Sequence, residues 1–355
     1  MKRLSLIIIC VVLLAGCTVE RRILDDIYLI TLAGYDLKED KIQSTLVVPI
    51  FQTGGGVRNE YYTTEGVLNK ELTKKATLQA PNPLFPGKIE VALFSEDFAR
   101  KGFIKTMDVY RRDPSISANV KLAVYDGSTK EFIHSQDVQN MDLGRYVVKI
   151  IEHSIDQEII PKTNLHLFFQ KYFGEGEDPF LPLFTLKKGK LKLKGLALFK
   201  GDRMIDHVPE NKLHLFSLLH NRLFNFALEL PQSEIQVAIG NIRAERKVQV
   251  TGSLSSPKIK ISIDLEGNIN EFYGGKKGLE KKLKKIEKQI DKHLEKEAKV
   301  MLSSFQEQGI DPIGIGKEAK AEFRDWDAKS WKQIYPELDI KVEVNTNVLE
   351  TGVMR

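Results

Sequence analysis

The chain has 355 residues, of which 42% are hydrophobic and 28% charged. This composition is typical of a soluble globular protein with about two domains. The formal net charge of +5 is small and spread along the chain, which argues against a nucleic-acid-binding protein.

The first 16 residues have the layout of a secretory signal. Lys2 and Arg3 precede the apolar run "LSLIIICVVLLA", and the charged "ERR" at 20–22 follows soon after. A membrane-spanning helix needs about 20 apolar residues, so this run is too short to span. The sequence therefore predicts a leader, residues 1–16, that is removed.

The leader ends in "LAGC", which resembles the bacterial lipobox. The resemblance implies cleavage before Cys17, a diacylglyceryl group on its sulfur and an acyl group on its freed amine. The alternative is an ordinary signal with an incidental cysteine. Cys10 would leave with the leader, so the mature chain would carry Cys17 alone. We therefore expect no disulfide, and a fold held by a hydrophobic core.

The first half of the mature chain predicts strands alternating with helices. After a polar tether at 17–26, apolar or alternating runs predict strands at 27–33, 45–51, 89–94 and 118–127. Helices are predicted from Ser95 to Gly102, at 141–155 and at 164–173. The glycine-rich "QTGGGVRN" at 52–59 predicts an exposed turn.

The residue pattern of the chain changes after "GEGEDPFLPLF" at 174–184, and we therefore place a domain boundary near Leu186. The predicted domains of the mature chain are therefore 17–186 and 187–355. The second begins with a hairpin that turns at 200–202, followed by a short helix at 211–224 and long strands at 233–252 and 257–270. A tryptophan-bearing helix and a last strand at 338–348 close the chain. The predicted fold class is α+β and multidomain, with mixed and antiparallel sheets packed against helices.

One long amphipathic helix is predicted near the C-terminus, at 278–309. Its apolar residues recur at spacings of three, four or seven and form one stripe: Leu279, Leu283, Ile286, Ile290, Leu294, Met301 and Phe305. The lysine-rich remainder favours a solvated face with Glu–Lys pairs. The alternative, contact with anionic headgroups, is weakened by the interspersed glutamates 280, 287, 295 and 297.

No sequence motif indicates a catalytic, cofactor or metal site. "GIDPIGIGKEA" lacks two residues of the phosphate-loop pattern, since Asp311 replaces a glycine and Glu318 follows the lysine. Turn roles are expected for it, for "QTGGGVRN" and for "YGGKKG". His214 and His220 are six residues apart and have no neighbouring ligand to complete a zinc site. The acidic pairs Asp25–Asp26 and Glu177–Asp178 are expected to be solvated.

Several segments resemble the Ger(x)C lipoproteins, the C subunits of spore germinant receptors. These segments are the lipobox, "ILDDIYLITLAGYDLKED", "RRDPSI", "EDPFLPL", "KGLALFKGDRMIDH", the long helix and "WKQIYPELDIKVEVNTNVLETGVM". One departure is Thr18, where family members commonly carry tryptophan. The resemblance implies a lipid-anchored α+β protein on the outer face of the spore inner membrane, acting with A-type and B-type membrane subunits. It carries over no catalytic residue and no cofactor, and only Cys17 inherits a defined chemical role.

The leading hypothesis is a noncatalytic, lipid-anchored receptor subunit required for germination in response to small nutrients. Two alternatives stay open. A lipid-anchored solute-binding protein would capture a nutrient directly, in a deep apolar pocket with convergent polar groups. A surface hydrolase would require a cluster of acid, base or nucleophile that the linear sequence does not reveal.

Overall fold

A computed structural model of the chain describes residues 26–136, 138, 140–220, 223–230, 236–273 and 279–351. The leader, Cys17 and Asp25 lie outside these residues, as does most of "YGGKKG". In the described ranges, no helix combines the length and apolar character needed to cross a membrane.

An eight-stranded mixed sheet forms the first large layer. Its four central strands run parallel, and antiparallel strands flank them on both sides. In spatial order the strands are β10 (Arg203–Pro209), β9 (Lys190–Lys200), β8 (Phe180–Lys187), β7 (Lys121–Tyr125), β6 (Val91–Ser95), β2 (Leu32–Lys38), β3 (Lys41–Phe51) and β4 (Val57–Gly66). A short parallel pair joins β1 (Tyr28–Leu29) to β5 (Leu84–Phe85).

Helices cover both faces of this sheet, which explains why its central strands are apolar throughout. Leu93 belongs to the hydrophobic cluster on one face and Phe94 to the cluster on the other. The helices are α1 (Asn69–Thr77), α2 (Glu96–Lys101), α3 (Ile104–Arg112), α4 (Thr129–Ser135), α5 (Leu143–Asp156) and α6 (Leu165–Phe173). A 3₁₀ turn occupies Pro86–Lys88.

The predicted limits of α2 are confirmed. The Ser95 hydroxyl accepts a hydrogen bond from the Phe98 amide at 3.3 Å, which caps the first turn. Gly102, with φ of 100°, lies in the region that favours glycine and ends the helix.

The second layer is a four-stranded sheet. Its strands, in spatial order, are β11 (Leu223–Leu230), β12 (Gln236–Ser253), β13 (Ser256–Tyr273) and β14 (Ile340–Thr351). The accompanying helices are α7 (Leu213–His220), α8 (Leu279–Gln308), α9 (Ile315–Glu322) and α10 (Ala328–Ile334), with 3₁₀ turns at Glu210–Lys212 and Tyr335–Glu337. The predicted α+β class with mixed sheets is confirmed.

The long helix α8 confirms the predicted amphipathic pattern. Ile286, Ile290, Leu294, Met301 and Phe305 are all buried in one core cluster, with Leu283 packed at its margin.

Carboxylates on α8 cover the free edge of β14. Glu295 accepts a hydrogen bond from the Val344 amide, Asp291 from Thr346 and Glu287 from Val348, at 2.9–3.1 Å. The acceptors follow one another at intervals of four along the helix and the donors at intervals of two along the strand. Two of the glutamates that interrupt the lysine-rich face therefore cap an edge strand that would otherwise expose unpaired amides.

The predicted domain boundary at Leu186 falls within the β8–β9 hairpin, where Leu186 pairs with Leu191. Strands on both sides of this position belong to one sheet. The division into 17–186 and 187–355 stays a prediction.

Two local predictions need correction. The predicted helix at 211–224 is helical only at 213–220, and Leu223 already begins β11. The predicted turn at 52–59 is confirmed up to Gly56, but Val57 begins β4.

Candidate functional site

A cleft of about 380 Å³ lies where the end of α6 and the start of β8 meet the α8–α9 loop and α10. We call it the aromatic cleft and define it by six of its lining residues: Asp178, Asp311, Trp326, Trp331, Lys332 and Tyr335. Two distant stretches of sequence, one in each half of the chain, build it together.

Asp311 organises the loop that forms the floor of the cleft. Its carboxylate oxygens accept hydrogen bonds from the amides of Gly314 at 2.8 Å and Gly316 at 2.6 Å. Gly314 has φ of 79°, a conformation that glycine adopts without strain. The amides that a phosphate loop would offer to a ligand are therefore occupied by the protein's own carboxylate. The turn predicted for "GIDPIGIGKEA" is confirmed up to Gly314, but Ile315 begins α9.

Asp178 joins this loop to the large sheet by two reciprocal bonds. The Asp178 amide donates to the Asp311 carbonyl at 2.9 Å, and the Asp311 amide donates to Asp178 Oδ2 at 2.8 Å. Burial raises the pKa of both carboxyls, and it raises that of Asp311 to about 6. Neither carboxylate is a solvated loop group, so that expectation is wrong for Asp178.

The neighbouring Glu177 is also largely withdrawn from water, since its side chain is 14% exposed. It contacts the ammonium of Lys171, whose Nζ lies 3.3 Å from His220 Nε2 and 4.6 Å from the centroid of the Phe180 ring. Burial, with the nearby charge of Lys317, lowers the pKa of Lys171, and the carboxylates of Asp311 and Asp178 partly oppose this shift. This cluster supports one wall of the cleft.

Three aromatic side chains form the opposite wall. The ring centroids of Trp326 and Trp331 are 6.5 Å apart, and those of Trp331 and Tyr335 are 6.1 Å apart. The indole nitrogens and the phenol oxygen are all buried without a hydrogen-bond partner. Burial and the nearby Asp311 and Asp178 carboxylates raise the pKa of Tyr335 well above its usual value. These polar atoms are shielded from solvent, so the wall presents mainly flat apolar faces to the cleft.

The other candidate residues do not join this arrangement as a metal or catalytic site. Cys17 lies outside the described residues. His214 and His220 are both on α7, as predicted, and burial lowers the pKa of His214. In the described part of the chain, no group of three or more His, Cys, Asp or Glu side chains could hold a metal ion.

Sequence reasoning did not find the aromatic cleft. Asp178 belongs to "EDPFLPL", and Trp331, Lys332 and Tyr335 belong to "WKQIYPEL", two segments that carry the family resemblance. Asp311 and Trp326 lie outside these segments. No motif or spacing indicated that the two segments meet, because their contact depends on the path of the α8–α9 loop between them.

The fold defines a class of protein: an α+β protein with an eight-stranded mixed sheet, a four-stranded sheet and helices packed against both. A family model described as the spore germination protein N-terminal domain matches residues 20–186. A second, described as spore germination B3/GerAC like, C-terminal, matches residues 194–352. The chain therefore belongs to the GerAC-like family of spore germination proteins.

Individual relatives agree with this assignment. The spore germination protein GerQC of Bacillus cereus is 29% identical over 358 residues, covering 99% of both chains. YfkR of Bacillus subtilis strain 168 is 22% identical and covers 98% of this chain and 96% of its own. The crystal structure of the GerBC protein superposes with a TM-score of 0.56 at 16% identity, covering 89% of this chain and 96% of its own. That similarity supports the fold.

Proposed function

We propose that this protein is a lipid-anchored, noncatalytic subunit of a nutrient germinant receptor, required for spore germination in response to small nutrients. The observation that carries the proposal is the ordered match of the two family models, to residues 20–186 and 194–352. The proposed partners are the A-type and B-type membrane subunits, and the proposed location is the outer face of the spore inner membrane.

The proposed anchor is Cys17, as an S-diacylglyceryl, N-acyl cysteine. Cys17 lies nine positions before Asp26, where the described chain begins. At about 3.4 Å per residue, this tether spans at most about 30 Å. An anchor of two or three acyl chains would hold the fold beside its partners and raise their effective concentration without any new contact.

The proposed noncatalytic role is supported by how the cleft uses its acidic groups. Both oxygens of Asp311 accept backbone hydrogen bonds, and Asp178 is bonded to the Asp311 amide. Carboxylates engaged in this way hold the backbone in place. We also propose that the mature chain divides functionally at 186/187. The gap between the two family models supports this division, although β8 and β9 pair across it.

Deletion of the gene tests the receptor role. In a strain with no redundant paralogue, nutrient-triggered release of dipicolinate from the mutant spores should be lost, and the wild-type gene should restore it. Normal nutrient-triggered release from the deletion strain would contradict the proposal.

The aromatic cleft favours a second candidate function, direct capture of a small solute. Its volume of about 380 Å³ and its mixture of aromatic faces with charged groups suit a small-molecule site. Isothermal titration of the purified protein with individual germinants should then give saturable heats that Trp331→Ala abolishes. Phe51→Ala, at a residue that is 77% exposed, is the matched control. No heat with any germinant would dismiss this candidate and leave the receptor role untouched.

A further inference from the structure

A second cavity, of about 210 Å³, lies between α1 and α3, remote in sequence from the aromatic cleft. We call it the α1–α3 slot. Its apolar lining residues are Ile30, Leu46, Ile89, Val109 and Ile116. The volume equals about seven waters at roughly 30 Å³ each, which is room for a stretch of extended hydrocarbon.

The polar groups within the slot already bond to one another. The hydroxyls of Tyr35 and Tyr110 are 2.7 Å apart, and Tyr35 also donates to Asn69 Oδ1 at 3.2 Å. At one end, Asp113 accepts hydrogen bonds from the amide and hydroxyl of Ser115. The interior therefore offers few unsatisfied groups to a polar ligand and suits an apolar one.

The rim of the slot is basic. Lys70 and Lys74 line it from α1, one turn apart, and both are exposed. Within the described residues neither lysine has a carboxylate partner, whereas Lys75 on the same helix pairs with Glu71 at 2.6 Å. An apolar cavity with a rim of unpaired ammonium groups is complementary to an anionic amphiphile.

Exposed aliphatic side chains flank the same helix. Val67 and Leu68 precede α1 and are 64% and 67% exposed, and Leu78 at its other end is 80% exposed. Large aliphatic groups next to unpaired lysines are typical of surfaces that rest in the headgroup region of a bilayer.

The described chain begins beside this surface. Ile30, in the slot, is four residues after Asp26, and the Tyr28 amide donates to the Pro83 carbonyl at the edge of the same region. The first described residues therefore lie next to the slot. A membrane attached through the proposed anchor at Cys17 would lie within about 30 Å of Asp26.

We propose that the α1–α3 slot binds an acyl chain of an anionic phospholipid in the bilayer, with the headgroup phosphate held by Lys70 and Lys74. The face of α1 is then turned towards the membrane. The occupant is a bilayer lipid because the slot is lined by aliphatic groups, its rim is cationic and the chain enters the fold beside it. The inference goes beyond the receptor role; the closeness of the membrane to the slot rests on the proposed anchor at Cys17, whereas the lining and the basic rim of the slot do not.

Vesicle binding of the mature chain without the leader, residues 17–355 with Cys17→Ala, tests the proposal without the anchor. The variant should co-sediment with vesicles that contain phosphatidylglycerol and not with vesicles of phosphatidylcholine alone. Lys70→Gln with Lys74→Gln should weaken binding about 30-fold, from the usual contribution of two basic residues at an anionic surface. Lys187→Gln with Lys190→Gln, at the exposed β8–β9 turn, removes the same charge and should have little effect.

Occupancy of the slot is tested separately. Val109→Trp should fill the cavity and abolish the chain-dependent part of binding, since each buried methylene strengthens binding about four-fold. Without that substitution, monomeric dihexanoyl-phosphatidylglycerol should raise the melting temperature of the Cys17→Ala protein, and glycerol 3-phosphate should not. The proposal is overturned if both double lysine variants lose the same vesicle affinity, or if a folded Val109→Trp variant binds vesicles as tightly as its parent. It is also overturned if the short-chain lipid does not raise the melting temperature.

Discussion

Replacing Asp311 by asparagine tests how the floor of the aromatic cleft is held. The asparagine side chain would keep nearly the same shape and one oxygen acceptor for the amides of Gly314 and Gly316, but it would not titrate. In the wild type, burial raises the Asp311 pKa from an ordinary 3.8 to about 6. The folded state therefore retains a proton that the unfolded chain loses between these two values.

The sign of the effect follows from this difference in proton binding. As pH rises from about 4 to 6, the unfolded chain releases its proton first, so the wild-type free energy of unfolding falls. A shift of about two pKa units corresponds to about 3 kcal/mol in total, of which about 2 kcal/mol falls between pH 4 and pH 7. The asparagine variant should lack this part of the pH dependence. The loss of one oxygen acceptor should only shift its free energy of unfolding by the same amount at every pH.

Urea unfolding, followed by tryptophan fluorescence, provides the assay. Both tryptophans of the chain, Trp326 and Trp331, line the aromatic cleft and report on this region. The difference between the wild-type and Asp311→Asn unfolding free energies should change by about 2 kcal/mol between pH 4 and pH 7. Asp97→Asn, at an exposed position on α2, serves as control. If the unfolding free energies of the wild type and Asp311→Asn changed in parallel with pH, Asp311 would not retain a proton in the folded state as described.

Two further substitutions test the packing of the C-terminal layer. Asp291→Ala should lower the free energy of unfolding by about 1.5–3 kcal/mol, because the Thr346 amide loses a charged acceptor. Glu307→Ala, exposed on the same helix, should change it by less than about 0.5 kcal/mol; equal effects would contradict the edge-capping role. Gly316→Ala should cost about 1–3 kcal/mol in the same assay, because a Cβ there would lie 2.5 Å from Trp331 Nε1 and 2.8 Å from Gly176 Cα. Gly54→Ala, with no atom within 4 Å of its Cβ position, should be nearly neutral, and a Gly316→Ala protein of wild-type stability would contradict the close approach.

Elements with strong local signals could be predicted from the sequence. The helix α8 is marked by an apolar stripe over eight turns, and α2 by a serine cap and a glycine stop, so each boundary is encoded within a few residues. The apolar run at 89–94 identified β6 because a central parallel strand is buried on both faces.

Elements that depend on distant partners were missed. The strand β4 reads "VRNEYYTTEG", whose polar residues pair with β3 at a sheet edge and carry no buried pattern of their own. The helix α1 has only nine residues, too few for a clear period, and owes its position to the packing of residues such as Leu72. The aromatic cleft was missed for the same reason, since Asp178 and Asp311 meet only in the folded chain.

Membrane partition and germination of spores carrying Cys17→Ala test the central proposal most directly. Cys10→Ala is the matched control, because Cys10 lies within the predicted leader and leaves with it. If Cys17 is the anchor, the Cys17→Ala protein should be made and folded but should move from the membrane to the soluble fraction. Nutrient-triggered dipicolinate release should then fall to the level of the deletion strain. The Cys10→Ala spores should behave as wild type. A Cys17→Ala protein that remains in the membrane fraction and supports normal germination would contradict an anchoring role for Cys17.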